Sequence, residues 1–315
     1  MDADRVELFA PGCLGTCWYG KYHYLEPWVG CEHDCDYCYA RYRSAVSTTL
    51  SELSAGFSDP CPLQEPDQLM ASVSSRLAAG DVKILKLSRF TDLFMPRFVR
   101  NGLSDRLMRT LLDSPVERLI ITTKGVPSES TLELMGANAS RVSFSVVAKP
   151  GSAVCLERNA PSVNERLAAA ARLHDRGVMT TVHMDPIVPG FEDGEEELAA
   201  FFRLLEEHRL GRVMFSLLLL CDAMVEDLRI RHGEELVARL LALYDRDTVR
   251  EYLPHQRETT LFAARADVQK ATIERISRLL KEMGFSFVLC SLKNVGPAVE
   301  VDHQLCPRCT GTFYA

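Results

Sequence analysis

Six short apolar runs of strand length alternate with windows of helical spacing, and this alternation constrains the fold more than any other feature of the chain. The runs are HYLEPWV (His23 to Val29), VKILKLS (Val82 to Ser88), RLIITTK (Arg118 to Lys124), RVSFSVV (Arg141 to Val147), MTTVHMD (Met179 to Asp185) and RVMFSLLLL (Arg212 to Leu220). Between and after them, apolar residues recur at helical spacing over Gln68–Leu77, Leu103–Leu112, Glu129–Met135, Val163–His174, Glu195–His208 and Glu234–Leu243. Gly80-Asp81, Asp113-Ser114-Pro115, Gly136 and Gly177 stop helices just ahead of strands. Repeated βα units predict parallel strands joined by right-handed crossovers, in a barrel-like or a doubly wound sheet.

Polar residues collect where these strands end: Ser88, Thr91 and Asp92, Thr123 and Lys124, Ser143 and Ser145, His183 and Asp185, and Ser216. In a barrel that edge is where ligands sit, and hydroxyls and a lysine there are poor core material. Beyond Cys221 come a polar helical stretch, a break at Pro254-His255, a strong helix from Ala266 to Met283 and a strand-like FSFVLC from Phe285 to Cys290. This region, from residue 246 on, is expected to form a C-terminal α/β appendage on a body spanning residues 23–245, with residues 1–22 as an extension.

The formal charge of −7 argues against an affinity that comes mainly from nucleic-acid phosphates. The N-terminus, MDADRVELFAPG, lacks the basic-then-apolar run of an export signal, and the most apolar window, Met214 to Cys221, is too short to span a bilayer. The expectation is a cytoplasmic protein with no membrane partner. Eleven cysteines in such a chain then call for metal ligation, redox chemistry or burial.

Three of them, Cys31, Cys35 and Cys38, stand in GCEHDCDYCYARY with CxxxCxxC spacing at the end of the first strand. Zinc sites usually add a second pair or histidines to close a tetrahedron. One tight loop with this spacing can instead wrap three corners of an iron–sulfur cube and leave one iron without a protein ligand. With an aromatic just before the last cysteine, on the first βα loop of a βα-repeat chain, the motif resembles the radical S-adenosylmethionine superfamily. The segments FTDLFMP, IITTKG, FSVVA, ERNAPSVNERLAAAARLHDRG and DPIVPGFEDG bring it nearer to the spore photoproduct lyase-like branch, over roughly Tyr24 to Asp193.

The resemblance implies a partial (β/α)6 TIM-like barrel, a [4Fe-4S] cluster on Cys31, Cys35 and Cys38, and S-adenosylmethionine on the open iron. Reductive cleavage would give a 5′-deoxyadenosyl radical that takes hydrogen from a small-molecule or peptide substrate, with a flavodoxin or ferredoxin as reductant. It implies Tyr37 against the adenine, Tyr39 near the cluster and methionine moiety, and Lys124 and Ser145, with Ser143 beside them, on the carboxylate or ribose. The edge of Ser88 and Asp92 would border the same pocket. A lysine suits a carboxylate, hydroxyls a ribose and a tyrosine face a base. Photoproduct lyases carry a hydrogen-donating cysteine near the segment matching SRFTD (Ser88 to Asp92), and this chain has none there, which turns the expectation away from lesion repair.

The remaining cysteines divide. Cys13 and Cys17 at one end and Cys290, Cys306 and Cys309 at the other could hold an auxiliary iron–sulfur cluster or a zinc, or be plain thiols. Cys61 and Cys155 read as ordinary thiols. Cys221, ending an apolar run on the pocket side, is the candidate hydrogen donor. His183 is a candidate substrate contact, His33 reads as a loop hydrogen bond, and Arg158 and Asn159 either face the pocket or tie the loop.

Overall fold

The computed structural model describes residues 5–12, 22–151, 156–251 and 260–289. In chain order the elements are strands β1 (Phe9–Pro11), β2 (His23–Leu25) and β3 (Trp28–Val29), helix α1 (Ser44–Glu52), β4 (Cys61–Pro62), α2 (Pro66–Ala78), β5 (Ile84–Leu87) and α3 (Pro96–Arg100). Then follow α4 (Leu103–Leu112), β6 (Arg118–Thr123), α5 (Glu129–Ala137), β7 (Val142–Val147), α6 (Val163–Asp175), β8 (Met179–Ile187), α7 (Glu195–Glu207) and β9 (Arg212–Leu217). The C-terminal part adds α8 (Asp222–His232), α9 (Glu234–Leu241), β10 (Tyr244–Glu251), β11 (Thr260–Ala264), α10 (Ala266–Glu282) and β12 (Ser286–Leu289).

The main sheet runs in the order β1-β2-β5-β6-β7-β8-β9-β12, with β1 antiparallel and every other pairing parallel. This is the predicted α/β partial barrel. Successive strand residues point to opposite faces. One face, with Leu85, Leu87, Leu119, Ile121, Phe144, Val146, Val182 and Phe215, belongs to the main apolar core together with the helices. The helices contribute matching stripes: α4 buries Leu103, Leu107, Met108, Leu111 and Leu112. The opposite face is mixed: Tyr24, Ile120 and Met214 form a small apolar cluster on it, while Lys86, Thr122, Ser143, Ser145, Thr181 and His183 supply polar groups, and the register sets Thr122, Ser145 and Thr181 side by side.

Three sequence expectations change in detail. The first run breaks at Glu26-Pro27 into β2 and β3, and β3 leaves the main sheet to pair with β4. The last run stops as a strand at Leu217, and Leu220 forms only an isolated bridge to Phe262. Cys221 therefore does not end a strand; it is the extended residue that caps the N-terminus of α8. In the C-terminal appendage, α10 carries the chain back so that β12 pairs parallel with β9 as an edge of the same sheet, and β10 and β11 form a hairpin the sequence did not suggest.

Candidate radical-initiation site

The cysteine loop leaves β3 through Gly30, whose φ of +82° favours glycine, and a Cβ there would fall 2.6 Å from the Phe57 carbonyl. That carbonyl accepts the Cys31 N–H at 2.7 Å, and Thr91 Oγ1 donates to the Gly30 carbonyl at 2.6 Å. From the other side, residues 156–159 lie along the loop: Cys35 bridges Glu157, the Asp36 N–H donates to Leu156 at 2.9 Å, and the Asn159 N–H donates to His33 at 3.1 Å. Arg158 Nε pairs with Asp36 at 3.0 Å. Arg158 and Asn159 thus tie the loop, the second of the two roles the sequence allowed.

Asp36 is a buried node inside the motif. Besides Arg158, it takes Arg231 Nη1 at 2.7 Å on Oδ1 and His232 Nε2 at 2.7 Å on Oδ2, both from the end of α8. Neighbouring Asp34 pairs with Arg41 and, at 3.3 Å, with Arg231. The loop is clamped by three separate stretches of chain before any cofactor is considered.

The three thiols suit a cluster. Cys35 is buried and Cys31 and Cys38 half-buried. Burial pushes the Cys35 thiol up to about 12, and burial, Asp92 and the other two thiols push Cys31 well above its ordinary value. Three thiols that oppose one another's ionisation need a positive centre to become ligands, which iron supplies. Among the described residues no three Cys, His, Asp or Glu side chains converge on a single metal ion. Thiols that each hold a different corner of a cube have no need to converge.

Lys124, just past β6, is the cation of this loop. Burial pushes its ammonium down, but the charges of Cys35, Glu157 and Cys38 hold it above its ordinary value. Its Nζ lies 5.3 Å from the centre of the Tyr37 ring, and Lys149 Nζ lies 4.4 Å from it. Tyr37 is buried and donates its hydroxyl to Glu157, whereas Tyr39 is 40% exposed and donates to the Arg89 carbonyl. Tyr39 is therefore the accessible aromatic of the pair, and Tyr37 stands behind the loop among Lys124, Lys149 and Glu157. Lys149 also pairs with buried Glu192 at 2.8 Å, and Arg166 with Glu157 at 2.8 Å.

Asp92 is buried, and its carboxylate is occupied by protein donors: Thr123 Oγ1 at 2.6 Å, the Lys124 N–H at 2.7 Å and the Phe94 N–H at 2.9 Å. Burial raises it, but His33, Thr123 and the Lys124 amide together bring it down to about 2. His33 Nε2 lies 3.4 Å away. Asp92 thus positions the Lys124 backbone instead of offering free oxygens to the pocket. Ser88 Oγ is buried without a partner, which leaves it open to a ligand. Ser143, Ser145 and His183 are buried on the mixed face of the sheet, and Asp185 accepts the Ser216 hydroxyl.

Sequence reasoning missed Asp36, Lys149, Glu157, Arg166 and Glu192, whose burial no local pattern announces. Cys13, Cys17, Cys155, Cys290, Cys306 and Cys309 lie outside the described residues; Cys61 is half-buried. No helix among the described residues is long and apolar enough to cross a membrane.

A family model described as the Radical SAM superfamily matches residues 25–205. Among solved structures, a mutant of spore photoproduct lyase with dinucleoside spore photoproduct is similar at a TM-score of 0.59 and 15% identity, over 85% of this chain and 75% of that one. The radical S-adenosylmethionine methyltransferase TsrM from Kitasatospora setae, with cobalamin and a [4Fe-4S] cluster bound, matches at 0.54 and 13%, over 89% and 54%. SuiB from Streptococcus suis bound to its precursor peptide SuiA matches at 0.50 and 11%, over 85% and 49%. At these identities the likeness is one of fold. No curated protein matches the sequence.

Proposed function

Since the chain belongs to the Radical SAM superfamily and is accordingly an enzyme of the kind that uses a [4Fe-4S] cluster and S-adenosylmethionine, we propose that Cys31, Cys35 and Cys38 hold three irons of that cluster. When bound and reduced, the cluster and S-adenosylmethionine supply a 5′-deoxyadenosyl radical, which here abstracts hydrogen from a small-molecule or peptide substrate. The observation that carries this reading is the pairing of three buried or half-buried thiols with the Lys124 ammonium at the C-terminal end of a parallel sheet.

Lys124 pairs with the S-adenosylmethionine carboxylate, and Ser143 and Ser145 bond the ribose from the mixed sheet face. Tyr39 offers its exposed ring near the cluster, Tyr37 stiffens the loop on the adenine side, and Ser88 and Asp92 form the rim, Asp92 by holding the Lys124 amide. His183 contacts substrate. Cys221 keeps its proton, because burial pushes its thiol above the ordinary value, and a protonated buried thiol can return a hydrogen atom. With no cysteine between Ser88 and Asp92 and a net charge of −7, a small molecule or peptide fits better than a long nucleic acid. A flavodoxin or ferredoxin is the fitting electron source.

Iron, sulfide and 5′-deoxyadenosine measured after anaerobic reconstitution and reduction test this. Wild type should hold at least about four irons and release 5′-deoxyadenosine. The Cys31→Ala/Cys35→Ala/Cys38→Ala variant should release none. A colourless wild-type protein that leaves S-adenosylmethionine intact overturns the proposal. Iron retained by the triple variant would reveal a second cluster, for which Cys13, Cys17, Cys290, Cys306 and Cys309 are the proposed ligands, with zinc as the alternative metal.

A further inference from the structure

Arg43, between the cysteine loop and α1, is the anomaly of this site. It is 3% exposed, and its Nε and Nη1 are buried without a hydrogen-bond partner. Among the described residues no carboxylate lies within salt-bridge distance of it. Its guanidinium carbon stands 5.7 Å from the centre of the Tyr39 ring. A buried, unpaired guanidinium is costly, and a fold keeps one where something outside the chain supplies the counter-charge.

The surroundings indicate where that counter-charge belongs. The positive charge of Arg43 reaches Cys221, whose thiol also feels the Met224 and Ala223 amides in the first turn of α8. That thiol is buried and protonated and cannot neutralise Arg43. Lys124 acts instead on Cys35 and Cys38. Two cations thus serve two places, Lys124 at the cluster loop and Arg43 on the side of Tyr39 and Cys221. The first turn of α8 adds amide donors to the second place.

We propose that Arg43 anchors an oxyanion of the substrate, a carboxylate or a phosphate, between its unpartnered nitrogens and the Cys221 end of α8. This rests on the functional reading above and adds the substrate class: a molecule with an acidic group held close to the Cys221 thiol and the Tyr39 ring. The carboxylate of S-adenosylmethionine is the other source of the same chemistry, and the test separates the two.

The probes are inorganic phosphate and acetate, added at constant ionic strength to anaerobically reconstituted protein saturated with S-adenosylmethionine, with melting temperature as the readout. Wild type should show a saturable rise of about 2 °C with at least one of them. Arg43→Met should melt no lower than wild type in the absence of either anion, because it removes an unpaired buried charge, and should lose the rise. Arg43→Lys should keep part of it, and S-adenosylmethionine affinity should be unchanged in both variants. No rise in wild type overturns the proposal, as does a rise of equal size in Arg43→Met. Weakened S-adenosylmethionine binding in Arg43→Met would hand Arg43 to the cofactor, and an Arg43→Met protein melting far below wild type without anion would make the arginine structural. A wild type without a cluster fails the functional reading, whereas one with a cluster and no anion response fails this inference alone.

Discussion

Tyr37, in the cysteine loop, donates its hydroxyl to Glu157, a residue 120 positions further along the chain that also bridges Cys35. The pairing joins the loop to the charges beneath the sheet edge. Burial raises Glu157, but Lys124, Lys149 and Arg166 overcome it and hold the carboxyl at about 2. Replacing Glu157 with Gln leaves Lys149 its partner Glu192 but takes the paired carboxylate from Arg166. The expected loss is about 3–5 kcal/mol, the cost of breaking a buried ion pair. Adding Arg166→Met to Glu157→Gln should recover part of it, so the double variant in urea unfolding should fall well short of the sum of the single losses.

Asp36 is the loop's other anchor, and its partners come from residue 158 and from Arg231 and His232 at the end of α8. Asp36→Asn removes the charge but keeps the shape, so it should loosen the loop without unfolding the sheet. Reconstituted Asp36→Asn protein should lose iron to a chelator at least about tenfold faster than wild type, a factor worth about 1.4 kcal/mol. Equal rates would mean that α8 does not brace the loop.

How much of this was legible in the sequence follows from range. The polar strand ends and Cys31, Cys35 and Cys38 are local patterns, and Leu103–Leu112 was read to the residue because its apolar stripe repeats cleanly. Nothing local marks Asp36, Lys149 or Glu192, because their burial depends on partners 43 to 196 positions away. The sequence places Cys221 at a strand end because LLLL continues the apolar run. The strand stops at Leu217, and Leu220 instead bridges the β10–β11 hairpin, a contact that no periodicity encodes.

Glu26 sets a pH dependence. It is buried and accepts the Arg89 N–H at 2.5 Å and the Phe90 N–H at 3.1 Å, holding the turn after Ser88. Burial pushes its carboxyl up from 4.5 to about 7, against the pull of those amides and of Arg89. Between those values the unfolded chain releases the proton while the folded chain retains it. The stability this group contributes is therefore complete below pH 4.5 and is lost as pH rises through 7, by about 3 kcal/mol in all. In urea titrations from about pH 5.5 to 8, wild type should lose stability relative to Glu26→Gln as pH rises, and a constant difference would rule out this titration.

Gly125 sits where β6 hands over to the site, directly after Lys124. A Cβ there would lie 2.0 Å from the Phe94 carbonyl oxygen and 2.5 Å from its carbon, and both are backbone atoms that cannot rotate away. Its N–H donates to Thr123 Oγ1 at 2.8 Å, and Thr123 in turn donates to Asp92. Even the single methyl of Gly125→Ala must push the Leu93–Phe94 turn off the Thr123–Asp92–Lys124 chain of hydrogen bonds. The expected cost is about 2–4 kcal/mol, on the scale of overpacking plus lost buried bonds. Because the same shift moves the Lys124 backbone, S-adenosylmethionine should bind at least about tenfold more weakly to whatever fraction of Gly125→Ala stays folded, a change of about 1.4 kcal/mol. Calorimetric titration of folded protein checks this, and unaltered affinity would separate the packing of Gly125 from the placement of Lys124.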